Sequence, residues 1–215
     1  KDLRTLRRCG FNRISLGMQS ADDAELRAIG RIHTMDQVRA AVESGVNYFD
    51  LAAGHATVFP AYGKALADLR KSVCLQIHFG ADYTSGEYGW TTEKDEIQRS
   101  VAWQLRNLGT DYLDLYIIHR FDYETPIEET MEALNELVRA GKVRALGASA
   151  MYGYQFYNMQ LAARDNGWAR FEAMENHYNL LYREDERELI PICKQMGVSL
   201  IPYSPLAAGH LTRPT

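Results

Sequence analysis

The sequence predicts an α/β fold of the (β/α)8 TIM-barrel type, with the barrel incomplete at the C-terminus. Strand-like runs recur about every 30 residues, the length that a strand and its crossover helix need, and a helical pattern fits nearly every gap between them. Seven such units in succession favour a barrel over an open two-sided sheet. The runs begin near Asn12, Val46, Val73, Tyr112, Val143, Phe171 and Val198.

The unit at residues 110–149 shows the pattern most completely. Residues 113–118 form a nearly continuous apolar run, typical of a parallel strand buried on both faces, and the run stops at His119. Residues 125–128, TPIE, supply an N-cap threonine, a first-turn proline and the glutamate of a capping box. The right-handed crossover then places His119 and Ser149 at the same end of one sheet.

Other helix ends are marked in the same way. Thr34 with Gln37 predicts the start of one helix, and Thr92 predicts the start of another. Gly109 and Gly197 follow apolar helical stripes and predict left-handed C-caps. The glycine- and aromatic-rich segment 80–90 predicts a long loop, which either covers a pocket or packs on itself.

No linker or low-complexity tract divides the 215 residues, so we predict a single barrel domain over residues 1–215. A closed barrel needs eight strands, whereas the sequence stops just after the seventh predicted strand. Either the N-terminal segment supplies the missing element, or the last unit lies beyond residue 215, or a partner closes the gap.

Composition excludes several classes of function. An apolar fraction of 46%, a charged fraction of 24% and a formal charge of −4 predict no nucleic-acid or membrane-surface partner. No apolar run approaches the roughly 20 residues of a membrane span, so we expect a cytoplasmic protein. The cysteines, Cys9, Cys74 and Cys193, are odd in number and far apart, which predicts no disulfide framework and no CxxC metal site.

Polar residues stand at the carboxyl end of each predicted strand. In a barrel these ends form one rim, and barrel enzymes place their catalytic groups there. We therefore expect the active site on this rim. The residues are Gln19, Asp50, His78, His119, Ser149, Glu175 or Asn176, and Tyr203.

Five segments in a specific order carry a family resemblance: VNYFDLA (46–52), LGTDYLDLYIIHRFD (108–122), TPIEETMEALNELVRAGKVRALGAS (125–149), NHYNLLYREDERELIPICKQMGV (176–198) and IPYSPLAAGHLTRP (201–214). They resemble aldo-keto reductases over about residues 33–214. The resemblance implies a (β/α)8 barrel that passes a hydride from NADPH to a small-molecule aldehyde or ketone. It also implies that Asp50 and His119 are two members of the catalytic tetrad.

The resemblance extends to the cofactor site. Ser149 and Asn176 match groups that bind the nicotinamide amide, and Tyr203 matches the aromatic residue that stacks on the nicotinamide ring. Ser204 to Leu206 would lie near the pyrophosphate.

Several positions depart from the family pattern. His55 stands where the family places its acid tyrosine, and His78 stands where it places a lysine. Glu175 replaces a cofactor-binding glutamine, and we expect it to line the cofactor site. The segment that grips the adenosine phosphate would come after residue 215. The family's proton donor, a phenol whose pKa is lowered by an ammonium group, therefore has no counterpart at these positions.

Two further resemblances concern parts of the chain. Residues 47–66 and 75–105 look like the aldo-keto reductase branch often associated with ferredoxin-type modules, in which the His55 and His78 pattern would be native. LRTLRRCGFNRISLGMQSADDAELRAIGRIHT (3–34) is similar to radical SAM enzymes of the coproporphyrinogen-oxidase-like group, but their CxxxCxxC motif is absent. Three such blocks suggest a recombined or engineered barrel.

These observations leave three hypotheses for the rim. In the first, a reductase uses Asp50 to stabilise the imidazolium form of His78, and His55 or His119 faces the carbonyl. In the second, the barrel is catalytically silent and keeps only a partial nucleotide pocket. In the third, His55, His78, His119 and Asp50 bind zinc or iron. Asp50 is better explained as an ion-pair partner, so we predict no metal.

Overall fold

The computed structural model describes residue 8 and residues 23–28, 34–51, 58–82 and 89–212. Its helices are α1 (Asp23–Ala28), α2 (Met35–Glu43), α3 (Val58–Leu66), α4 (Lys94–Leu108), α5 (Ile127–Arg139), α6 (Gly153–Asn166) and α7 (Leu189–Met196). Its strands are β1 (Tyr48–Leu51), β2 (Cys74–Phe79), β3 (Ala81–Asp82), β4 (Gly89–Trp90), β5 (Leu113–Ile118), β6 (Val143–Ser149), β7 (Phe171–Glu175) and β8 (Ser199–Leu200). Among the described helices, none combines the length and the apolar character that crossing a membrane requires.

Six strands form one parallel sheet in the order β1, β2, β5, β6, β7, β8. This confirms the predicted α/β class and the parallel arrangement of the strands. The strands begin within two residues of the predicted positions, except for the run near Asn12, which lies outside the described residues. Residues 80–90 were predicted to form a loop, but the two ends of this segment pair as the short antiparallel strands β3 and β4.

The six-stranded sheet is strongly curled. Two strands, β5 and β6, separate β2 from β7, and three strand spacings of about 4.8 Å would hold these strands about 14 Å apart in a flat sheet. Nevertheless, Gln76 of β2 donates a hydrogen bond to Glu175 of β7, with Nε2 and Oε2 only 2.6 Å apart. The sheet therefore bends into an open half-barrel whose concave face gathers side chains from distant strands.

The main core lies between the sheet and the helices. Ile97 and Val101 of α4 and Met131 and Leu134 of α5 are buried in this core. A second, small cluster holds the strand residues Leu115, Ile117 and Ala173, with Ala145 and Ile201 packed against them. This second cluster includes no residue from a helix, so it covers the other face of the sheet.

Two helices begin later than predicted. The helix α4 begins at Lys94 and α5 at Ile127, with Glu93 and Pro126 as N-caps. The hydroxyls of Thr92 and Thr125, which we expected at or near the caps, both donate to Asp122 Oδ2 at 2.8 Å. The prediction was wrong because this carboxylate competes successfully for both hydroxyls.

Other predicted helix ends are confirmed. Gln37 Oε1 accepts a hydrogen bond from the backbone N–H of Thr34 at 3.0 Å, as in a capping box. Gly109 and Gly197 follow α4 and α7 with φ of 64° and 68°, the left-handed conformation expected of a C-cap glycine. These turns return the chain to the amino ends of β5 and β8.

Candidate active site

Gln19 lies outside the described residues, and the other predicted rim residues lie at or just beyond the carboxyl ends of the parallel strands. Asp50 is in β1 and His78 in β2, and His119 directly follows β5. Ser149 and Glu175 end β6 and β7 and are register partners. Because the strands are parallel, all five residues lie at one end of the half-barrel.

His78 is the centre of this group. Its side chain is almost fully buried, and Nε2 lies 3.5 Å from Asp50 Oδ1 and 3.1 Å from Glu175 Oε2. Burial alone lowers the pKa of His78, but hydrogen bonds and charge interactions with Asp50 and Glu175 outweigh burial and raise the pKa to about 9. The imidazole is therefore protonated at neutral pH and lies between two carboxylates.

Gln76, which was not among the predicted rim residues, positions the second carboxylate. Its Nε2 donates to Glu175 Oε2, while its Oε1 accepts a hydrogen bond from the Tyr48 hydroxyl at 2.5 Å. Gln76 Nε2 also lies 3.1 Å from His78 Nε2. Both nitrogens carry hydrogen when His78 is charged, so we assign the amide hydrogen to Glu175. The spacing of two residues between Gln76 and His78 was the available signal, since it puts both side chains on one face of β2.

His119 contacts the other nitrogen of His78. The two Nδ1 atoms lie 3.0 Å apart, and His119 is partly exposed. Burial and the positive charges of His78 and Arg120 lower the pKa of His119, against a smaller opposing effect of Asp50. We therefore assign a neutral His119 whose Nδ1 accepts the proton of His78 Nδ1. This assignment leaves the ring proton of His119 on Nε2.

The arrangement differs from the four-residue metal site considered above. Asp50, His78 and Glu175 do place one ligand atom each within 4.8 Å of one another. His119, however, faces Nδ1 of His78, whereas the carboxylates face Nε2. One ion could not be bound by His78 together with both sets of partners. The protonated imidazole itself supplies the positive charge between the carboxylates.

Asn176 follows β7 beside this group and has one open hydrogen-bonding atom. The residue is buried, and its Nδ2 donates to Asp185 Oδ2 at 2.9 Å. Its Oδ1 is also buried and has no hydrogen-bond partner within the described part of the chain. A buried acceptor of this kind is costly unless a donor reaches it, so the atom fits a ligand that carries an N–H group.

Tyr203 lies next to Asn176 and is supported by a stack of aromatic rings. The backbone N–H of Tyr203 donates to the Asn176 carbonyl at 2.9 Å. The rings of Tyr203 and His177 stack with centroids 5.1 Å apart and an interplanar angle of 10°, and Tyr182 stacks on His177 at 4.5 Å. Tyr203 keeps 40% of its surface exposed. Its ring is thus fixed in orientation while part of it stays open to a ligand.

The remaining predicted cofactor residues follow Tyr203. Ser204 has a φ of 52°, and Leu206 is exposed. A positive φ at a residue other than glycine is uncommon and is often found at functional sites. Glu175, in contrast, has Oε2 engaged by Gln76 and His78, so it belongs geometrically with the histidines.

Tyr62 does not take the place of the missing acidic phenol. His55, the predicted substitute, lies outside the described residues. Tyr62 is buried in α3, and burial together with the Asp50 charge raises its pKa to about 12. A phenol with this pKa is a poor proton donor near neutrality. Among the described titratable groups, the His78 and His119 pair is the better candidate.

Comparison with known proteins places this chain in a family. The profile of the aldo/keto reductase family matches residues 13–214, so it begins within the segment that we compared with radical SAM enzymes. An aldo-keto reductase of Fusarium vanettenii is 54% identical over 124 residues, 58% of this chain and 34% of the relative. Versiconal hemiacetal acetate reductase of Aspergillus parasiticus is 51% identical over 118 residues, 55% of this chain and 34% of the relative. The matched stretch thus spans about a third of these relatives.

Solved structures agree with the sequence matches. An aldo-keto reductase from Bacillus halodurans, solved in its holo form, has a TM-score of 0.72 and 30% identity over 91% of this chain and 62% of that chain. A glycerol dehydrogenase from Gluconobacter oxydans also has a TM-score of 0.72, with 26% identity over 83% of this chain and 55% of that chain. The recombined-barrel hypothesis stays a prediction. With a family profile that spans nearly all of its length, the chain belongs to the aldo/keto reductase family.

Proposed function

We propose that this chain forms the catalytic part of an NADP(H)-dependent reductase of aldehydes and ketones in which a histidine pair replaces the acidic phenol. The observation that supports this most directly is the 3.0 Å contact between His78 Nδ1 and His119 Nδ1. One histidine is held protonated by two carboxylates, and the other has a lowered pKa. Such a pair suits proton donation near neutral pH.

The two histidines would act in sequence. Bound NADPH supplies the hydride that reaches the carbonyl carbon. His119 Nε2–H donates its proton to the developing alkoxide oxygen, and His119 Nδ1 receives the Nδ1 proton of His78. The hydride and the proton together convert the carbonyl to an alcohol. The relay resets when His119 Nε2 takes up a proton from solvent and His119 Nδ1 returns its proton to His78 Nδ1. Asp50 and Glu175 stabilise the charged His78 that begins the cycle.

The residues around Asn176 fit the nicotinamide group. The unpartnered Asn176 Oδ1 would accept a hydrogen bond from the carboxamide N–H2, and the buried Ser149 hydroxyl lies on the neighbouring strand. Tyr203 would stack on the ring, while Ser204 and Leu206 would lie near the pyrophosphate. The family resemblance implies NADPH as the cofactor and a (β/α)8 barrel. Residues 1–215 would form a single domain of this barrel type that is incomplete at its C-terminus.

An absorbance assay tests the proposal. The purified chain is mixed with NADPH and 4-nitrobenzaldehyde, and loss of the reduced nicotinamide band is followed, with NADH in a parallel reaction. We expect turnover to fall at least about 100-fold in His119→Gln and in His78→Gln, since general acid catalysis contributes that much or more. His210→Gln removes an exposed histidine that is not part of the relay and should leave turnover unchanged.

A binding titration separates the alternatives. If NADPH fluorescence shows binding but no aldehyde is reduced, the relay is wrong. If NADPH does not bind, the chain is the catalytically silent barrel of the second hypothesis. Retained turnover in both histidine variants would transfer the acid role to another group, such as His55.

A further inference from the structure

The rim carries a second feature that the relay does not use, formed by Trp90 and Arg120. Trp90 ends the hairpin β3 and β4, and Arg120 directly follows His119. The guanidinium carbon of Arg120 lies 4.5 Å from the centre of the Trp90 ring, and the same ring lies 6.1 Å from the His119 ring. One indole therefore adjoins both the proposed proton donor and a fixed positive charge.

The indole is held in place from below by Gly80. A Cβ atom at Gly80 would lie only 2.3 Å from the Trp90 ring, so the ring packs directly on the glycine backbone. The φ of 90° at Gly80 also disfavours other residues. The Thr91 N–H donates to the Gly80 carbonyl at 2.9 Å, which ties the end of the hairpin to the end of β2. The Trp90 ring on which Arg120 stacks is therefore held in a fixed position.

Among the described residues, Arg120 has no charged partner. The residue is exposed, and no carboxylate oxygen among the described side chains lies within 4.0 Å of its nitrogens. The nearby carboxylate of Asp122 already accepts hydrogen bonds from Thr92, Thr125 and the Glu124 backbone. Stacking on an aromatic ring uses the face of a guanidinium and leaves its N–H edges free.

We propose that Arg120 and Trp90 form a carboxylate-binding subsite, so that the preferred substrates are aromatic carbonyl compounds bearing a carboxylate group. The free N–H edge of Arg120 binds the carboxylate with two parallel hydrogen bonds. The indole contacts the apolar body of the substrate and directs its carbonyl group towards His119. The inference rests on the proposed reductase function, because it names the substrates of that same site.

The test compares a matched pair of aldehydes. 4-Carboxybenzaldehyde carries the anionic group, whereas its methyl ester, methyl 4-formylbenzoate, has nearly the same shape without the charge. We expect kcat/KM to be about 10- to 100-fold higher for the acid, mostly through a lower KM, the range typical of a hydrogen-bonded charge. Arg120→Gln should abolish this preference, so that kcat/KM becomes equal for the acid and the ester in that variant, and Arg120→Lys should restore the preference only in part.

Arg139→Gln is the matched control, since it removes an exposed arginine from the end of α5 with the same change in charge. It should leave the preference unchanged. Equal use of acid and ester by the unmodified chain would overturn the subsite while leaving the reductase proposal intact. A preference for the acid that persists in Arg120→Gln would also overturn it, because Arg120 would then serve only the hairpin or the reacting oxygen.

A binding measurement decides the matter if no aldehyde is reduced. Terephthalate, which carries two carboxylates on one ring, is titrated into the chain by calorimetry. The dissociation constant should rise about 10- to 100-fold in Arg120→Gln and stay constant in Arg139→Gln. Equal affinity for terephthalate in all three proteins would refute the subsite independently of catalysis.

Discussion

The two ends of the half-barrel balance the charge of their carboxylates in opposite ways. At the amino end, Asp114 of β5 lies between two guanidinium groups, with Arg70 at 2.8 Å and Arg144 at 2.9 Å. The same arginines stack on the Tyr112 ring at 4.0 and 3.7 Å. At the carboxyl end, Asp50 and Glu175 share the single imidazole of His78. One end has an excess of permanent positive charge, and the other has a single proton to neutralise two acids.

This difference distinguishes a cluster that stabilises the fold from a cluster that can exchange protons. Guanidinium groups stay charged at any pH that a protein experiences, so the Asp114 cluster holds strands together without exchanging protons. Its Oδ2 also accepts the Leu75 N–H at 3.0 Å, which links β5 to β2. An imidazole can lose its proton, and the His78 cluster therefore changes state within the accessible pH range.

The largest effect is expected from neutralising the amino-end carboxylate. Asp114→Asn leaves the largely buried Arg70 side chain, 11% exposed, without its counter-charge, and we expect the free energy of unfolding to fall by about 3 kcal/mol. Urea denaturation at neutral pH measures this change. Arg144→Gln should cost less, about 0.5–1 kcal/mol, because 59% of the Arg144 side chain is exposed. Equal losses in the two variants would contradict the distinction between a buried and a surface ion pair.

The second effect is a pH dependence of stability at the carboxyl end. Folding raises the pKa of His78 from its ordinary value near 6.5 to about 9. Its stabilisation is therefore fully present below pH 6.5 and is lost as the pH rises through 9. We expect a loss of on the order of 1–3 kcal/mol across this interval. Urea midpoints measured from pH 6 to pH 10 test this loss. In His78→Gln the midpoint should change less over the same pH range.

The smallest effect is a shift in the pH profile of catalysis. Glu175→Gln keeps the shape of the side chain but removes one negative charge from His78. The pKa of His78 should then fall towards its ordinary value, and the alkaline limit of kcat should move down by about one pH unit. The limit is read from initial rates at saturating aldehyde across the alkaline range. An unchanged limit would mean that Glu175 serves the cofactor, as its sequence position first indicated.

Sequence reasoning reached the architecture because strands and helices are governed by local patterns. Apolar runs and glycine stops located β5, β6 and α5 to within a few residues. The rim was predicted for the same reason, since parallel strands share their carboxyl ends. The helix starts at Thr92 and Thr125 were predicted wrongly because Asp122 accepts hydrogen bonds from both hydroxyls. The pattern of helix-start residues does not take Asp122 into account.

The pairing of Glu175 with His78 could not be predicted from the sequence, for a different reason. The two residues are 97 positions apart and come from strands that are not neighbours. Only the amount of curl in the sheet decides whether they meet, and curl depends on the packing of the whole structure. The roles of Trp90 and Arg120 were missed similarly, because their stacking depends on how a hairpin folds back over the rim.

The curl of the sheet determines how this protein would lose activity. Gln76 reaches Glu175 only because the intervening strands bend. A modest flattening of the sheet would therefore separate these two side chains, while the backbone hydrogen bonds between adjacent strands remained intact. Inactivation by mild heat or denaturant would then precede any loss of helix or strand signal. Far-ultraviolet circular dichroism would still report an intact fold after the reaction centre had come apart.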